Sequence, residues 1–468
     1  MDWANIEDTV IESEKIEKKL DDILEDMIIT EEMQSVIDII AKDEFKMIFL
    51  TGKAGTGKSV FLKYLKNKIL KNAVFLAPTG IASINIGGQT IHSFFKFKHH
   101  FNSYKLQRPL GLEVKDRDKY KKIKYLVIDE ISMVRADIFD SINTFLQANR
   151  NNYGEFFGGV KVILFGDLFQ LPPIVNDDDK FLFKKFNYAT PYFFSSDIFK
   201  QICKKTHYIN FTHIFRQKDN TFIDVLENIR NSKFPKEIEN TINSRVIKRY
   251  SDLPEGSMIL STVNKVADQY NKKFLDDLPT KSKVYVADIR DKFNISDYPT
   301  KEKLELKVGA QVMFVKNDTQ KRFVNGTIGK IKWLSEEHIG VEINGIDNYI
   351  LRETWEKREY VDKKSDELET VSVGSFTQFP IKYGWAISIH KSQGLTFDNV
   401  LIDTANNVFA SGQIYVALSR CRTLEGIYLR HKITKDQIFK NNYIEAFLKY
   451  IEQMKYEREI ANGNTDII

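Results

Sequence analysis

The chain has 468 residues, 42% hydrophobic and 28% charged, with two cysteines and a formal net charge of +5. That length exceeds one core and predicts two to four domains of a soluble, globular kind, and no apolar run approaches the ~20 residues of a membrane span. Cys203 and Cys421 are too few for a four-cysteine cluster or a disulfide framework, and the acidic N-terminus is neither a signal nor a transit peptide, so a reducing, intracellular setting is expected, cytoplasmic in a bacterium.

Residues 1–29 hold ten acids and three lysines, a net of −7, which leaves +12 on the remainder. A basic body suits a polyanionic partner. Ile16, Leu20, Ile23 and Met27 fall at helical spacing. The favoured reading is an acidic helix packed on the body; the sharper one is a displaceable cover for a basic groove.

Gly52–Ser59 fits G-x-x-x-x-G-K-[ST] at every position. Met47–Leu50 before it reads as a buried strand, and Val60–Leu70 after it as an amphipathic helix with Leu62, Leu65 and Ile69 on one face. This is the context a phosphate loop needs. Gly52, Gly55 and Gly57 let the backbone of Ala54 and Thr56 curl so that N–H groups face a phosphate chain at a helix N-terminus. Lys58 then reaches the β- and γ-phosphates, and the Ser59 hydroxyl ligates Mg²⁺.

From Met47 to about Leu171, short apolar segments alternate with helical ones, at Met47–Leu50, Val74–Leu76, Tyr125–Ile128 and Val162–Phe165. Strands apolar on both faces belong to a parallel sheet covered by helices, so residues 30–205 are read as one α/β lobe. A basic, aromatic stretch at about 95–120 is a small insertion in it. A second series begins at Tyr208–Phe211 and includes Met258–Leu260, Val400–Ile402 and Ile427–Leu429, predicting a second lobe of residues 206–280 and 361–468. Between these pieces, residues 281–360 turn to β-type runs at Gln311–Val315, Thr327–Trp333, Ile339–Ile343 and Tyr349–Leu351. Asn325-Gly326 and Asn344-Gly345 are hairpin signals, and a small inserted β-barrel follows.

Asp129 and Glu130 come directly after Tyr125–Ile128. Asp129 at the end of a buried strand is placed to hold Mg²⁺, and Glu130 to act as general base on a water. Gln170, within Gly166–Pro173, offers its amide to water and γ-phosphate. Phe215-Arg216-Gln217 and Tyr415–Arg420 each present an arginine from the second lobe, a charged fork for the γ-phosphate across a cleft. Three sets suit a polymer: Pro78 and Thr79; His92 and Phe94; and His390, Lys391 and Ser392. Backbone N–H groups, lysine and threonine hold phosphates while rings stack on bases. Phe94 reads equally well as core.

In this order the motifs resemble those of a superfamily 1 helicase of the Pif family, in the 5′-to-3′ branch with RecD-type enzymes, from about Thr30 to Arg430. The most diagnostic stretch is Asp137–Pro173, with Phe157-Gly158-Gly159 leading to Gly166-Asp167 and Gln170–Pro173. Phe215-Arg216-Gln217, His390–Gly394 and Val416–Arg420 are similar too. Lys161 departs from the pattern, where the family more often has Gln; a packing difference is expected. The resemblance implies two RecA-like domains, a wedge at about 95–120 and an SH3-like domain at 281–360. It implies that Gln34 reads adenine, that Lys58, Ser59, Asp129 and Glu130 serve ATP and Mg²⁺, and that Gln170, Arg216 and Arg420 sense the γ-phosphate. Single-stranded and tailed or forked duplex DNA are the implied partners, and the 5′-to-3′ direction comes from the resemblance alone. Extra terminal domains of larger members are not evident, so a bare, monomeric helicase core is expected. An RNA or hybrid helicase, and a phosphate-loop ATPase with no nucleic-acid role, are the alternatives.

Overall fold

The computed structural model describes residues 27–97 and 114–461, apart from 176, 218, 292, 294, 296, 297, 319, 363–367 and 405–407. Most of the acidic segment and most of the stretch at 95–120 therefore lie outside the described residues. Six parallel strands form the first sheet: β1 (Met47–Gly52), β2 (Ala73–Ala77), β3 (Gln89–Thr90), β4 (Tyr125–Ile128), β5 (Lys161–Phe165) and β6 (Thr206–Phe211), in the order β3-β2-β4-β5-β1-β6. Alternate side chains face opposite ways along a strand. Met47 and Phe49 thus join one core with the helix Ala136–Arg150, while Ile48 and Leu50 join another with the helix Glu31–Lys42. Thr30 caps that helix, its hydroxyl accepting from the Met33 N–H at 3.4 Å.

The expectation that Tyr208–Phe211 opens the second lobe is corrected here. β6 pairs with β1 over six residues, from Met47↔Thr206 to Gly52↔Phe211. Hydropathy marks an edge strand but carries nothing about which sheet it joins, so the first lobe runs past residue 205.

β7 (Met258–Ser261) begins the second sheet, and the chain then leaves it. β8 (Ser282–Val286), β9 (Asp288–Asp291), β10 (Lys303–Lys307), β11 (Gln311–Phe314), β12 (Ile328–Leu334), β13 (His338–Ile343), β14 (Ile346–Leu351), β15 (Glu353–Asp362), β16 (Leu368–Gln378) and β17 (Ile381–Tyr383) follow. The central sheet of this insertion is antiparallel, β14-β13-β12-β11-β17. Asn344 and Gly345, at φ 50° and 79°, make the tight turn between β13 and β14, the geometry a two-residue hairpin requires. Asn325-Gly326 does not join its strands as tightly: it sits in a type II-like turn closed by Thr327 N–H to Val324 O, at the end of a longer loop.

The insertion also extends beyond residue 360. β16 pairs with both β15 and β9, and β17 pairs with β11. β16 is rich in Glu, Thr, Ser and Gly, so no apolar run announces it. The β15–β16 hairpin reaches the first lobe, where Tyr360 Oη accepts from the Phe75 N–H at 3.1 Å. The chain returns as β18 (Ala386–Ser388), β19 (Val400–Asp403) and β20 (Ile427–Leu429), closing a parallel sheet in the order β18-β7-β19-β20. The terminal helix Asn442–Ala461 does not stay with the second lobe: Ile444, Phe447 and Ile451 join the first core, and Phe447 stacks on Phe194 at 4.2 Å. Lys161, the first residue of the interior strand β5, pairs with Asp43 and lies over the Phe45 ring, a packing role.

Candidate active site

The loop after β1 turns through Gly55 (φ 85°) and Gly57 (φ 80°) into the helix Lys58–Tyr64, which places Ser59 in the first turn. A left-handed backbone at both positions favours glycine. Space is equally tight, because a Cβ on Gly52 would stand 2.8 Å from Phe211 O and one on Gly55 2.6 Å from Arg216 Cβ. Lys58 Nζ donates to Gly52 O at 2.7 Å and Lys53 O at 2.9 Å. Burial lowers its pKa, opposed by the carboxylates of Asp167 and Glu130. Gln34 is exposed on the helix Glu31–Lys42 and donates to Asp38 at 2.9 Å, while its neighbour Met33 reaches Gly57.

Asp129 and Glu130 emerge from the end of β4. The Asp129 carboxylate accepts from the Glu130 N–H at 2.9 Å. Glu130 sits at φ 50°, an unfavourable backbone for a glutamate, and such strain gathers at functional sites. Burial raises both carboxyls, and the charge of Asp129 raises Glu130 further. A carboxyl pushed toward neutrality is suited to proton transfer.

Gln170 is 7% exposed, and its Oε1 accepts from Gln393 Nε2 of the second lobe at 3.4 Å. Arg420 is 2% exposed; its guanidinium donates to Val416 O at 2.9 Å and to Ser419 Oγ at 2.8 Å. Burial, with Arg216 beside it, lowers its pKa to about 9. Arg216 donates to Ser419 O at 3.0 Å, so the two arginines meet. Their origins differ from the expectation. Arg420 belongs to the second lobe, but Arg216 follows β6 of the first sheet by five residues, and Phe215 N–H donates to Gly55 O at 2.9 Å. That arm lies against the phosphate loop itself.

Three residues at this centre escaped sequence reasoning. Tyr415 Oη accepts from the Ala54 N–H at 2.9 Å and donates to Asp167 at 3.1 Å. Arg230 pairs with the fully buried Asp167 at 3.1 Å and lies 4.1 Å above the Phe169 ring. Asp167 and Tyr415 stand inside the quoted motifs, so their position was legible though their role was not. Nothing in the sequence singles out Arg230.

The polymer set divides. Thr79 is exposed, and its hydroxyl caps the helix Gly80–Asn85 by accepting from the Ala82 N–H at 3.3 Å, next to half-buried Pro78. His92 is half-buried, edge-on to Phe97. Lys391 is exposed, and His390 lies parallel to Phe409 at 5.9 Å. Two assignments are corrected. Phe94 is 2% exposed and packs on Phe95, Tyr120 and Tyr360, so its ring is core. Ser392 is fully buried, its hydroxyl donating to Ile389 O at 2.8 Å, and turns no side chain outward.

The model of the family described as PIF1-like helicase matches residues 28–241, and that of the DNA helicase Pif1 2B domain matches residues 290–334. The ATP-dependent DNA helicase Pif1 of Campylobacter jejuni is 32% identical over 444 residues, covering 86% of this chain and 94% of its own length. The chain belongs to the PIF1-like helicase family. Bacteroides Pif1 in complex with ADP-AlF4 superposes with a TM-score of 0.82 at 38% identity, over 92% of this chain and 98% of that one. Bacteroides Pif1 bound to single-stranded DNA gives 0.67 at 38% identity, over 91% and 97%. The fold is therefore that of the family, two RecA-like lobes with a β insertion. The chain spans 58% and 64% of the length of the PIF1 helicases of Danio rerio and Xenopus laevis.

Proposed function

We propose that this chain is an ATP-hydrolysing DNA helicase that moves 5′-to-3′ along single-stranded DNA and separates the duplex ahead of it. The observation that carries the reading is the meeting of Arg216 and Arg420 beside a phosphate loop already bonded to the second lobe through Tyr415. A site shared between lobes makes hydrolysis depend on their relative position, as a motor requires and a simple kinase does not. Family members named as ATP-dependent DNA helicases, and the Bacteroides complexes with a nucleotide analogue and with single-stranded DNA, support it.

Lys58 and the loop N–H groups hold the phosphates, Glu130 takes the proton of the attacking water, and Gln170 orients that water. Arg216 and Arg420 balance the charge that develops on the γ-phosphate. A magnesium ion fits the oxygen donors Ser59 and Asp129, whose carboxyl is raised by burial and is eased by a nearby cation; when bound, it neutralises phosphate charge. Single-stranded DNA crosses both lobes past Pro78–Thr79, His92 and His390–Lys391, with a monomer as the working unit. A groove that tracks a single backbone discriminates poorly between strands, so RNA–DNA hybrids and quadruplexes belong, beside duplex DNA, among the structures this reading has it unwind. The test is ATPase stimulation and unwinding on duplexes with 5′ or 3′ tails. Unwinding of 5′-tailed substrates is expected; preference for 3′ tails overturns the direction, and ATP turnover indifferent to any polynucleotide overturns the function.

A further inference from the structure

We infer that Arg230 is a positioning residue for ATP hydrolysis: from the second lobe it holds the turn that carries Gln170, and so aligns Gln170 only while the lobes are docked. The inference rests on the helicase reading and adds to it a residue outside every motif quoted above. Arg230 ends the helix Asn220–Arg230, whose Phe222, Val225, Leu226 and Ile229 are buried in the second lobe's core. Its partner Asp167 follows β5 of the first sheet by two residues. The pair therefore joins the two lobes.

The turn after β5 crosses from one core to the other. Leu168 is buried in the first core, Leu171 in the second, and Phe169 packs against both. Gln170 rides on this crossing, its N–H donating to Asp167 O at 3.0 Å. The Asp167 carboxylate closes the same turn. One oxygen accepts from the Phe169 N–H at 3.2 Å and from Arg230 at 3.1 Å, and the other accepts from Tyr415 at 3.1 Å. The Arg230 guanidinium also lies 4.1 Å from the centroid of the Phe169 ring. A flat cation over a ring, with one arm of its fork on a carboxylate, fixes direction as well as distance. A shift of the helix thus moves Asp167 and Phe169 together, and Gln170 is the next residue.

Stability alone does not account for this arrangement. A buried ion pair adds little net stability, because removing both charges from water costs about what their attraction returns. Asp167 is fully buried, the Arg230 side chain is 13% exposed, and the Arg230 Nε has no hydrogen-bond partner among the described residues. A buried donor left unpaired adds to the cost. The side chain of Gln170 meets the second lobe as well, since its Oε1 accepts from Gln393 at 3.4 Å. Backbone and amide of this residue are thus both held from across the cleft, the backbone through Arg230.

The experiment is a double-mutant cycle on steady-state ATP turnover, with and without single-stranded oligothymidylate. Arg230→Ala and Arg230→Lys are each made in wild type and in Gln170→Ala. Lysine keeps a charge opposite the buried Asp167, which guards against a variant that fails to fold, but it lacks the flat fork. In wild type, Arg230→Ala is expected to lower kcat about 10- to 100-fold, the scale of a misplaced catalytic group, and Arg230→Lys about fivefold. KM for ATP stays within about threefold, as for an interaction realised in the transition state. In Gln170→Ala the same substitutions cost less than about twofold, because residues that act as a unit are not additive. A merely structural role lowers both backgrounds alike, so equal losses overturn the inference, as does a raised KM with unchanged kcat. Gln170→Ala with wild-type turnover overturns it together with the γ-phosphate role of Gln170. Wild-type turnover that ignores single-stranded DNA overturns the helicase reading instead, and the cycle is then decided on basal turnover by the same criterion.

Discussion

Tyr415→Phe removes one oxygen atom from the contact between the lobes and leaves the ring. That hydroxyl accepts from the Ala54 N–H at 2.9 Å and donates to Asp167 at 3.1 Å, within a side chain 3% exposed. The variant strands the Ala54 N–H away from water, a loss of about 1–3 kcal/mol. Asp167 loses one donor but keeps Arg230 at 3.1 Å and the Phe169 N–H at 3.2 Å, so its share lies at the low end of the same range. The total is about 2–4 kcal/mol, large against the ~5–15 kcal/mol that holds a typical native protein. Because the bond ties the phosphate loop to the helix Gln413–Leu418, the loss falls on lobe docking. Urea denaturation and steady-state ATPase kinetics read it: a lower midpoint and a higher KM for ATP are expected, with the protein still folded. A variant within about 0.5 kcal/mol of wild type, the range of neutral surface changes, and with unaltered KM would refute the claim that this hydroxyl joins the lobes.

Glu130→Gln should lower kcat about 10²- to 10⁴-fold with KM little changed, the usual worth of a general base. In wild type Glu130 is raised to about 7, so turnover should fall as pH drops below that value. For a carboxyl the same shift means that ionisation costs stability as pH rises from the ordinary glutamate range to about 7; thermal melts should therefore show Glu130→Gln gaining on wild type at pH 8 but not at pH 4. Arg216→Ala should reduce turnover by about 10³-fold or more, as loss of a γ-phosphate arginine does, measured at saturating ATP. Phe94→Ala should lower stability by about 3–5 kcal/mol in urea titrations, the cost of emptying an aromatic core site; single-strand affinity of the folded fraction should stay within about twofold if the ring is core rather than contact.

The phosphate loop and the carboxylate pair were legible because each follows directly on a buried strand, where hydropathy changes abruptly; Gln170 and Arg216 stand five residues past such strands, and Arg420, just after the helix Gln413–Leu418, was legible from its motif alone. What stayed hidden depends on distance along the chain. Asp167 and Arg230 stand 63 residues apart as a bonded pair, and no local pattern announces a partner so remote. β6 looked like the start of a new series because an edge strand resembles any other short apolar run. β16 looked like part of the second lobe because a two-sided polar hairpin arm lacks the alternation that marks a half-buried strand. Ser392 was misread, and Phe94 stood open between contact and core, for one reason: residue type states what a side chain can do, while burial decides whether it can do it to anything outside.

β6 carries one more consequence. Since it lines the edge of the first sheet, Arg216 hangs a short arm from the same framework as Lys58 and keeps a constant relation to the phosphates. Arg420 is anchored in the other framework, and its separation from Arg216 changes whenever the lobes shift. The two therefore work like the fixed and sliding jaws of a caliper, with Ser419 O as the mark at which they now touch. Damage to the fixed jaw should depress ATP turnover equally with and without a strand bound, whereas damage to the sliding jaw should chiefly erase the difference between the two.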